Sequence, residues 1–207
     1  MDLMYVLISA YLIYISIAII GISLGYHRYF SHREFKATAW LEIIMLYCGL
    51  LCGGRSLLGW AGVHRMHHIY ADTENDPHSA KNHPWWKILF SLWKVNTLPR
   101  KFIKDLLQNK RVMFFHKYGT YIFIVHQIIF FLLFGVNSLI VHAVVFFLAY
   151  LGFGILNLWG HNLDGPINRA WINLIAPLEG NHKTHHANNQ RSTLSLINYL
   201  LLGLYRS

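Results

Sequence analysis

Three short histidine clusters are the residues in this chain best suited to chemistry. The first is His27-Arg28-Tyr29-Phe30-Ser31-His32, an H-x4-H pair. The second, His64-Arg65-Met66-His67-His68, and the third, His182-Lys183-Thr184-His185-His186, share the spacing H-x2-H-H. On a helix, positions i, i+3 and i+4 lie on one face, so each triplet aims its imidazoles at one point or at two adjacent points. Eight histidines exceed the roughly four to six ligands that one metal accepts, and two metals sharing a site is the economical arrangement. Asn157-Leu158-Trp159-Gly160-His161 fits the same pattern. His161 is a candidate ligand, and Asn157, one turn earlier, offers an oxygen directly or through water. Imidazole suits Zn, Cu, Fe or Ni, so the donors leave the metal open.

The elements that must position these clusters are apolar. Of the 207 residues, 55% are hydrophobic and only 13% charged, against about 25% charged in ordinary globular chains. Leu3 to Tyr26 carries no charge, and its 24 residues can span the ~30 Å of a bilayer core. With no basic stretch before it and no small-residue cleavage site, it reads as a transmembrane helix rather than a signal peptide. Tyr118 to Gly160 contains no Asp, Glu, Lys or Arg and is long enough for two spans, about 118–134 and 139–160, with Gly135-Val136-Asn137-Ser138 as the turn. His126 and His142 within it read as packed, hydrogen-bonded core residues. The segment 37–54, interrupted by Glu42, is an interfacial or re-entrant candidate. The apolar tail Leu194 to Leu204 is too short to cross and is expected on the membrane surface. Cys48 and Cys52 lie in an apolar stretch, which excludes a disulfide framework or a cysteine zinc site and leaves them as small buried hydrophobes.

The clusters can meet only on one side of the membrane. The first follows span one and the third follows the two-span hairpin, so the segment 37–54 must not cross. Three crossings result, with the N-terminus on the far side. The loop 81–117 holds nine Lys or Arg and one acidic residue, Asp105, which places it and the histidine boxes in the cytoplasm. The formal charge of +9 is assigned to lipid headgroups or an acidic protein partner rather than nucleic acid. The fold class expected is an all-α integral-membrane helical protein of one domain, with about three spans, an interfacial or re-entrant helix and a cytoplasmic histidine-box cap.

The quoted boxes, together with Trp60-Ala61-Gly62-Val63 before the second, Asp72-Thr73-Glu74-Asn75-Asp76-Pro77-His78, and Glu179-Gly180-Asn181-His182, resemble those of the integral-membrane fatty acid desaturases, specifically the delta-9, stearoyl-CoA-desaturase-like branch. The likeness is close over residues 20 to 80 and looser over 155 to 190. It implies two iron ions held by His27, His32, His64, His67, His68, His161, His182, His185 and His186, with Asn157 acting through water. It also implies dioxygen as oxidant, two external electrons, and insertion of a cis double bond at the delta-9 position of a saturated acyl chain. Trp60 and Trp159, each next to a ligand cluster, read as walls of an acyl channel or equally as interfacial aromatic anchors. Against the family pattern the chain lacks a span before the first box, Gly62 and Val63 replace the polar residues that bind coenzyme A, and Asn181 replaces an aromatic residue. The acyl carrier is therefore open among coenzyme A, acyl-carrier protein and intact lipid. With no fused cytochrome domain, electrons are expected from a separate acidic donor of the ferredoxin or cytochrome b5 type. A diiron lipid hydroxylase is the rival within enzymes. A metal transporter is the rival outside them, although its ligands would sit at mid-bilayer rather than at span ends.

Overall fold

A computed structural model describes residues 2–187, and the expected surface segment Leu194 to Leu204 lies outside them. Among the described residues the protein is all-α apart from one two-residue strand pair. The helices are α1 (Leu3–Ala18, continuing without a break as a π-helix over Ile19–Ser31), α2 (Ala39–Leu51), α3 (Leu57–Tyr70), α4 (Trp85–Leu89), α5 (Lys104–Gln108), α6 (Lys110–Phe134), α7 (Val136–Trp159) and α8 (His182–Ala187). Strands β1 (His161–Asn162) and β2 (Gly165–Pro166) pair antiparallel, with His161 opposite Pro166.

Three helices are long and apolar enough to cross a membrane: Leu3–Ser31, Lys110–Phe134 and Val136–Trp159. The first runs five residues beyond the expected limit of Tyr26, so His27 lies on the helix and His32 caps it. Helix α6 begins eight residues before the expected start at Tyr118. Asn109 accepts hydrogen bonds from the amides of Arg111 and Val112, and this cap starts the helix inside the basic segment, so hydropathy alone misplaces the boundary. At 25 residues α6 is about 37 Å long, more than a ~30 Å hydrocarbon core needs. The α6–α7 turn is a single residue, Gly135, at φ +63°, a conformation for which glycine carries no steric penalty. Apolar side chains along the far halves of α6 and α7, Leu132, Leu133, Phe134 and Val136 among them, are exposed, as lipid-facing residues must be.

Helix α2 has 13 residues, about 20 Å, and is shorter than a span. It runs back beside the π-helical part of the first helix. Met45 faces Gly25, and a β-carbon at Gly21 would collide with the backbone of Gly49. Its tip packs Gly53 against Phe146, midway along α7, and α3 returns from there to the histidines. The segment 37–54 thus contains a helix too short to span, packed between the first helix and the middle of α7. Glu42, fully buried, accepts hydrogen bonds from Asn109 Nδ2 at 2.6 Å and Tyr29 Oη at 3.3 Å and is ion-paired with Arg111. Its charge is matched, which removes the main cost of burying it. Cys48 and Cys52 are free and buried.

Candidate metal centre and acyl cavity

The first cluster depends on the π-helix. In an α-helix residues five apart point in different directions, whereas i→i+5 hydrogen bonding widens the turn and stacks them. The His32 amide donates to the His27 carbonyl at 3.2 Å, and the two imidazoles come within 5.0 Å. The second cluster lies on α3 and the third on α8.

These elements gather nine histidines into two sets. His27, His32, His64, His68 and His185 place ring nitrogens within 4.8 Å of one another, and so do His67, His161, His182 and His186. Each H-x2-H-H triplet is split: α3 sends two imidazoles to the first set and one to the second, while α8 does the reverse. The sets adjoin where His68 stacks on His186 at 4.2 Å. All nine ligands expected from the family likeness therefore converge. Asn157 lines the adjoining cavity beside His64, His67 and His182.

The hydrogen count at this site does not close. Three imidazoles are turned by carboxylates that face Nδ1: Glu179 on His27 at 2.9 Å, Asp76 on His67 at 3.0 Å and Asp72 on His161 at 2.9 Å. A neutral imidazole that donates from Nδ1 has a bare lone pair at Nε2. Yet His27 Nε2 lies 2.8 Å from His185 Nε2, which is also 3.1 Å from the Nε2 atoms of both His32 and His68. His32 Nε2 in turn meets His64 Nε2 at 2.8 Å, and His161 Nε2 meets His182 Nε2 at 2.9 Å. One proton on His185 can serve only one of its three neighbours. The buried Nε2 atoms of His67 and His186 have no hydrogen-bond partner. Converging lone pairs held by carboxylates on their far sides are what a cation requires, and a metal in each set fits the residues present.

Electrostatics keep the donors in the ligating form. Burial, reinforced by neighbouring imidazoles, pushes His64, His68, His182 and His185 far below the usual histidine range. It lowers His32 to about 2 and His186 to about 3. Burial would raise Asp76, but the His67 hydrogen bond outweighs it and holds that carboxyl at about 2. Burial acts the same way on Glu179, and His27 and Arg28 hold it below the carboxylate range. The sequence reading assigned no role to Asp72, Asp76 and Glu179. They belong to stretches already quoted for the family likeness, but nothing in their spacing to the histidines reveals the pairing.

Arg65, between two box histidines, clamps the site from outside. Its Nε donates to Ser31 O at 3.0 Å, and its terminal nitrogens donate to Phe30 O, Phe102 O and both oxygens of Asp105 at 2.6–3.0 Å. All five guanidinium hydrogens are used. The clamp thereby fixes the chain leading into His32 against the helix that carries His64. Asp105, the one acid of the basic segment, also takes Arg33 at 2.7 Å.

A cavity of about 460 Å³ opens on the histidines. Trp60 forms part of its wall, stacked on His64 with ring centroids 5.1 Å apart. Trp159 does not. It is exposed at the end of α7, edge-on to Trp171 at 6.4 Å, and the channel-wall expectation for it is corrected. Trp159 is the last residue of α7, beyond the cavity-lining Leu156 and Asn157.

Comparison with known proteins decides the family. The fatty acid desaturase family model matches residues 3–206. The chain belongs to that family. Among curated relatives it is 38% identical over 109 residues to a Synechocystis protein named sn-1 stearoyl-lipid 9-desaturase, covering 51% of this chain and 34% of the relative. It is 29% identical over 185 residues to Delta-9 acyl-lipid desaturase 2 of Arabidopsis thaliana, covering 81% and 59%. It is 31% identical over 185 residues to the sn-2 palmitoyl-lipid 9-desaturase of a Nostoc species, covering 81% and 64%. The chain thus spans between a third and two thirds of the length of these relatives. In this desaturase-family chain the α2–α3 unit delivers the second box to the same histidine cluster as the first.

Proposed function

We propose that the protein is a membrane-bound fatty acyl desaturase that inserts a cis double bond at the delta-9 position of a saturated chain esterified to a lipid. In this reading two iron ions occupy the two histidine sets, with Asn157 completing the second set through water. The observation that carries it is the crowding of Nε2 lone pairs around His185, beside a mostly apolar cavity that is lined by His27, His64, His67 and His182. Most of the relatives are named as lipid desaturases and one as an acyl-CoA Delta(11) desaturase; that balance favours intact lipid over a thioester, as do Gly62 and Val63 in place of coenzyme-binding residues.

Bound iron would supply the dioxygen chemistry, in which two external electrons and two protons join two hydrogens from adjacent methylenes to leave a double bond and two waters. The chain's own residues provide position. The Trp60 face and the apolar wall formed by Ile22, Ala149 and Phe153 hold the acyl chain, exclude water and fix which methylenes approach the histidines. Glu179, Asp76 and Asp72 hold protons on Nδ1 of His27, His67 and His161, so that Nε2 stays free for the metal. Electrons come from a separate acidic one-electron carrier of the ferredoxin or cytochrome b5 type. The cations of residues 81–117 favour its docking, since Asp105 is already neutralised by Arg65 and Arg33. The positive-inside rule puts this segment and the boxes on the cytoplasmic face.

The test is lipid mass spectrometry after expression in a desaturase-deficient host, with metal analysis of the purified protein. A new monounsaturated acyl group and two irons per chain are expected. Products carrying an added oxygen would instead establish a hydroxylase, and absence of any modified lipid from metal-replete protein would refute both.

A further inference from the structure

Helices α3 and α7 both flank the cavity, and one stretch of chain, residues 90–97, bridges them. It is anchored at each end by a glycine. Before it, the carbonyl of Leu89 packs against Gly154 of α7, where a β-carbon would collide with it. After it, Leu98 Cδ2 packs against Gly62 of α3, 2.6 Å from where a β-carbon would stand. Between these anchors the residues alternate as an extended chain does. Ser91, Trp93 and Val95 line the cavity, whereas Phe90, Leu92 and Lys94 are exposed on the other side. The cavity wall is here a strap one chain thick.

The strap is weakly held between its ends. Among the described residues, no backbone group of residues 93–98 hydrogen-bonds to another backbone group, and segments so tethered open at the lowest free energies in a fold. Ser91, where the strap leaves α4, has φ at +49°, a conformation that strains a residue with a side chain. The amides of Ser91 and Leu92 still donate to the carbonyls of Ile88 and Lys87 at 3.1 and 2.8 Å, so the free length begins after them. The α3 side of the gap is unfilled. Gly59, one turn before the Gly62 anchor, lines the cavity, and no atom lies within 4 Å of where its side chain would begin. The outer side is amphipathic: Trp85, Trp86, Phe90 and Leu92 are exposed, beside Lys87 and Lys94. Gly154 lies five residues, about 8 Å, before the end of a helix long enough to span. Tryptophan and lysine at that level belong to the membrane interface, where water and headgroups satisfy the strap's backbone.

We propose that residues 90–97 form a lateral gate through which an acyl chain passes from the bilayer into the cavity between α3 and α7. The inference rests on the desaturase reading above and adds the route of entry. A chain that moves sideways from the membrane keeps its length out of water throughout. Gly59 sets the width of the passage, because any larger side chain would occupy the gap. Closure of the strap over the chain then brings Trp93 and Val95 against it and excludes water from the histidines.

Iron-replete protein in nanodiscs of branched-chain diphytanoyl lipid would be compared with and without added distearoyl-phosphatidylcholine, reading amide hydrogen exchange by mass spectrometry. Exchange across residues 93–98 should slow roughly tenfold once the added lipid exceeds its Kd about tenfold. Gly59→Phe plugs the passage. It should abolish that protection and cut double-bond formation at least tenfold with iron content unchanged, and Gly59→Ala should do so in part. A nitroxide on Leu92→Cys should be relaxed more by dioxygen, which partitions into lipid, than by a water-soluble nickel chelate. Exchange that ignores the added lipid, or Gly59→Phe protein with wild-type protection and product, overturns the gate. A nitroxide immobilised by the reduced electron carrier and not reached from the lipid also overturns it, and gives this face to the carrier. Wild-type protein that shows the protection yet makes no product upholds the gate and overturns the desaturase reading.

Discussion

Two groups of buried histidines in this molecule contrast in how their hydrogens are used. In the α6–α7 hairpin, Tyr47 Oη donates to His126 Nδ1 at 2.6 Å, His126 Nε2 donates to His142 Nε2 at 2.9 Å, and His142 Nδ1 donates to Ser138 O at 2.9 Å. One choice of tautomers satisfies every atom, with both rings neutral. That relay staples α2 to α6 and α6 to α7, as the core reading of these two histidines expects. At the box histidines no choice of tautomers succeeds, because His185 Nε2 faces three other Nε2 atoms and the carboxylates have already claimed the Nδ1 protons of His27, His67 and His161. The same residue type is structural where its hydrogen bonds close and metal-binding where they do not. Burial does not separate the groups; the hydrogen count does.

The contrast is broken most strongly at its centre. His185→Ala removes the one nitrogen shared by three neighbours. It should abolish double-bond formation and at least halve the bound iron, measured on protein purified in parallel with the wild type; full growth rescue of a desaturase-deficient host by this variant would sink the enzymatic reading. Next in size, Asp76→Asn removes the charge that orients His67. Loss of such a carboxylate costs roughly 10–100-fold in metal affinity, readable as iron retention against a chelator series. Arg65→Lys should lower iron content less, because it leaves the charge but breaks the fork to Asp105 and the two carbonyls before His32; a variant that retains full iron and activity would show the clamp to be dispensable.

The metal-free protein should also respond to pH. His32, His64, His68, His182, His185 and His186 have folded pKa values depressed below the unfolded value of about 6.5, with His186 at about 3 and His32 at about 2. Below pH 6.5 the unfolded chain takes up protons that the folded site refuses, so stability falls with falling pH. Each such histidine contributes about 1.4 kcal/mol per pH unit, down to about pH 3 for His186. Thermal unfolding of apoprotein in detergent between pH 7 and 5 reads this, and the iron-loaded protein should stand well above it. The smallest effect is expected on the other side of the comparison. His126→Phe leaves the Tyr47 hydroxyl and His142 without their partner and should cost about 1–3 kcal/mol of stability with no change in iron content. Iron loss in that variant would erase the distinction between the two groups.

Much of this was legible in the residues. Uncharged length located three spans, and the i, i+3, i+4 spacing of two triplets located two of the elements that carry ligands. The requirement that all clusters share a face argues against a crossing by the 37–54 segment, and tags at Arg33 and Gly62 should accordingly report the same side of the membrane. Boundaries were less legible. The basic start of α6 is helical because Asn109 caps it, and the first helix continues past Tyr26 as a π-helix, which no hydropathy pattern encodes. Of the two readings of Trp159, channel wall and interfacial anchor, its exposed position outside the cavity lining removes the first, because adjacency to a ligand in sequence does not place a side chain in a cavity.

Composition and local spacing by themselves determined that this is a helical membrane protein with enough imidazole for two metals, since both follow from periodicities of a few residues. Only the tertiary structure decided how the nine histidines divide, five and four, and which carboxylate turns which ring. Those pairings join residues up to about 150 positions apart, as His27 to Glu179 does. Such separations are set by how helices pack, and no local pattern in the chain carries that information.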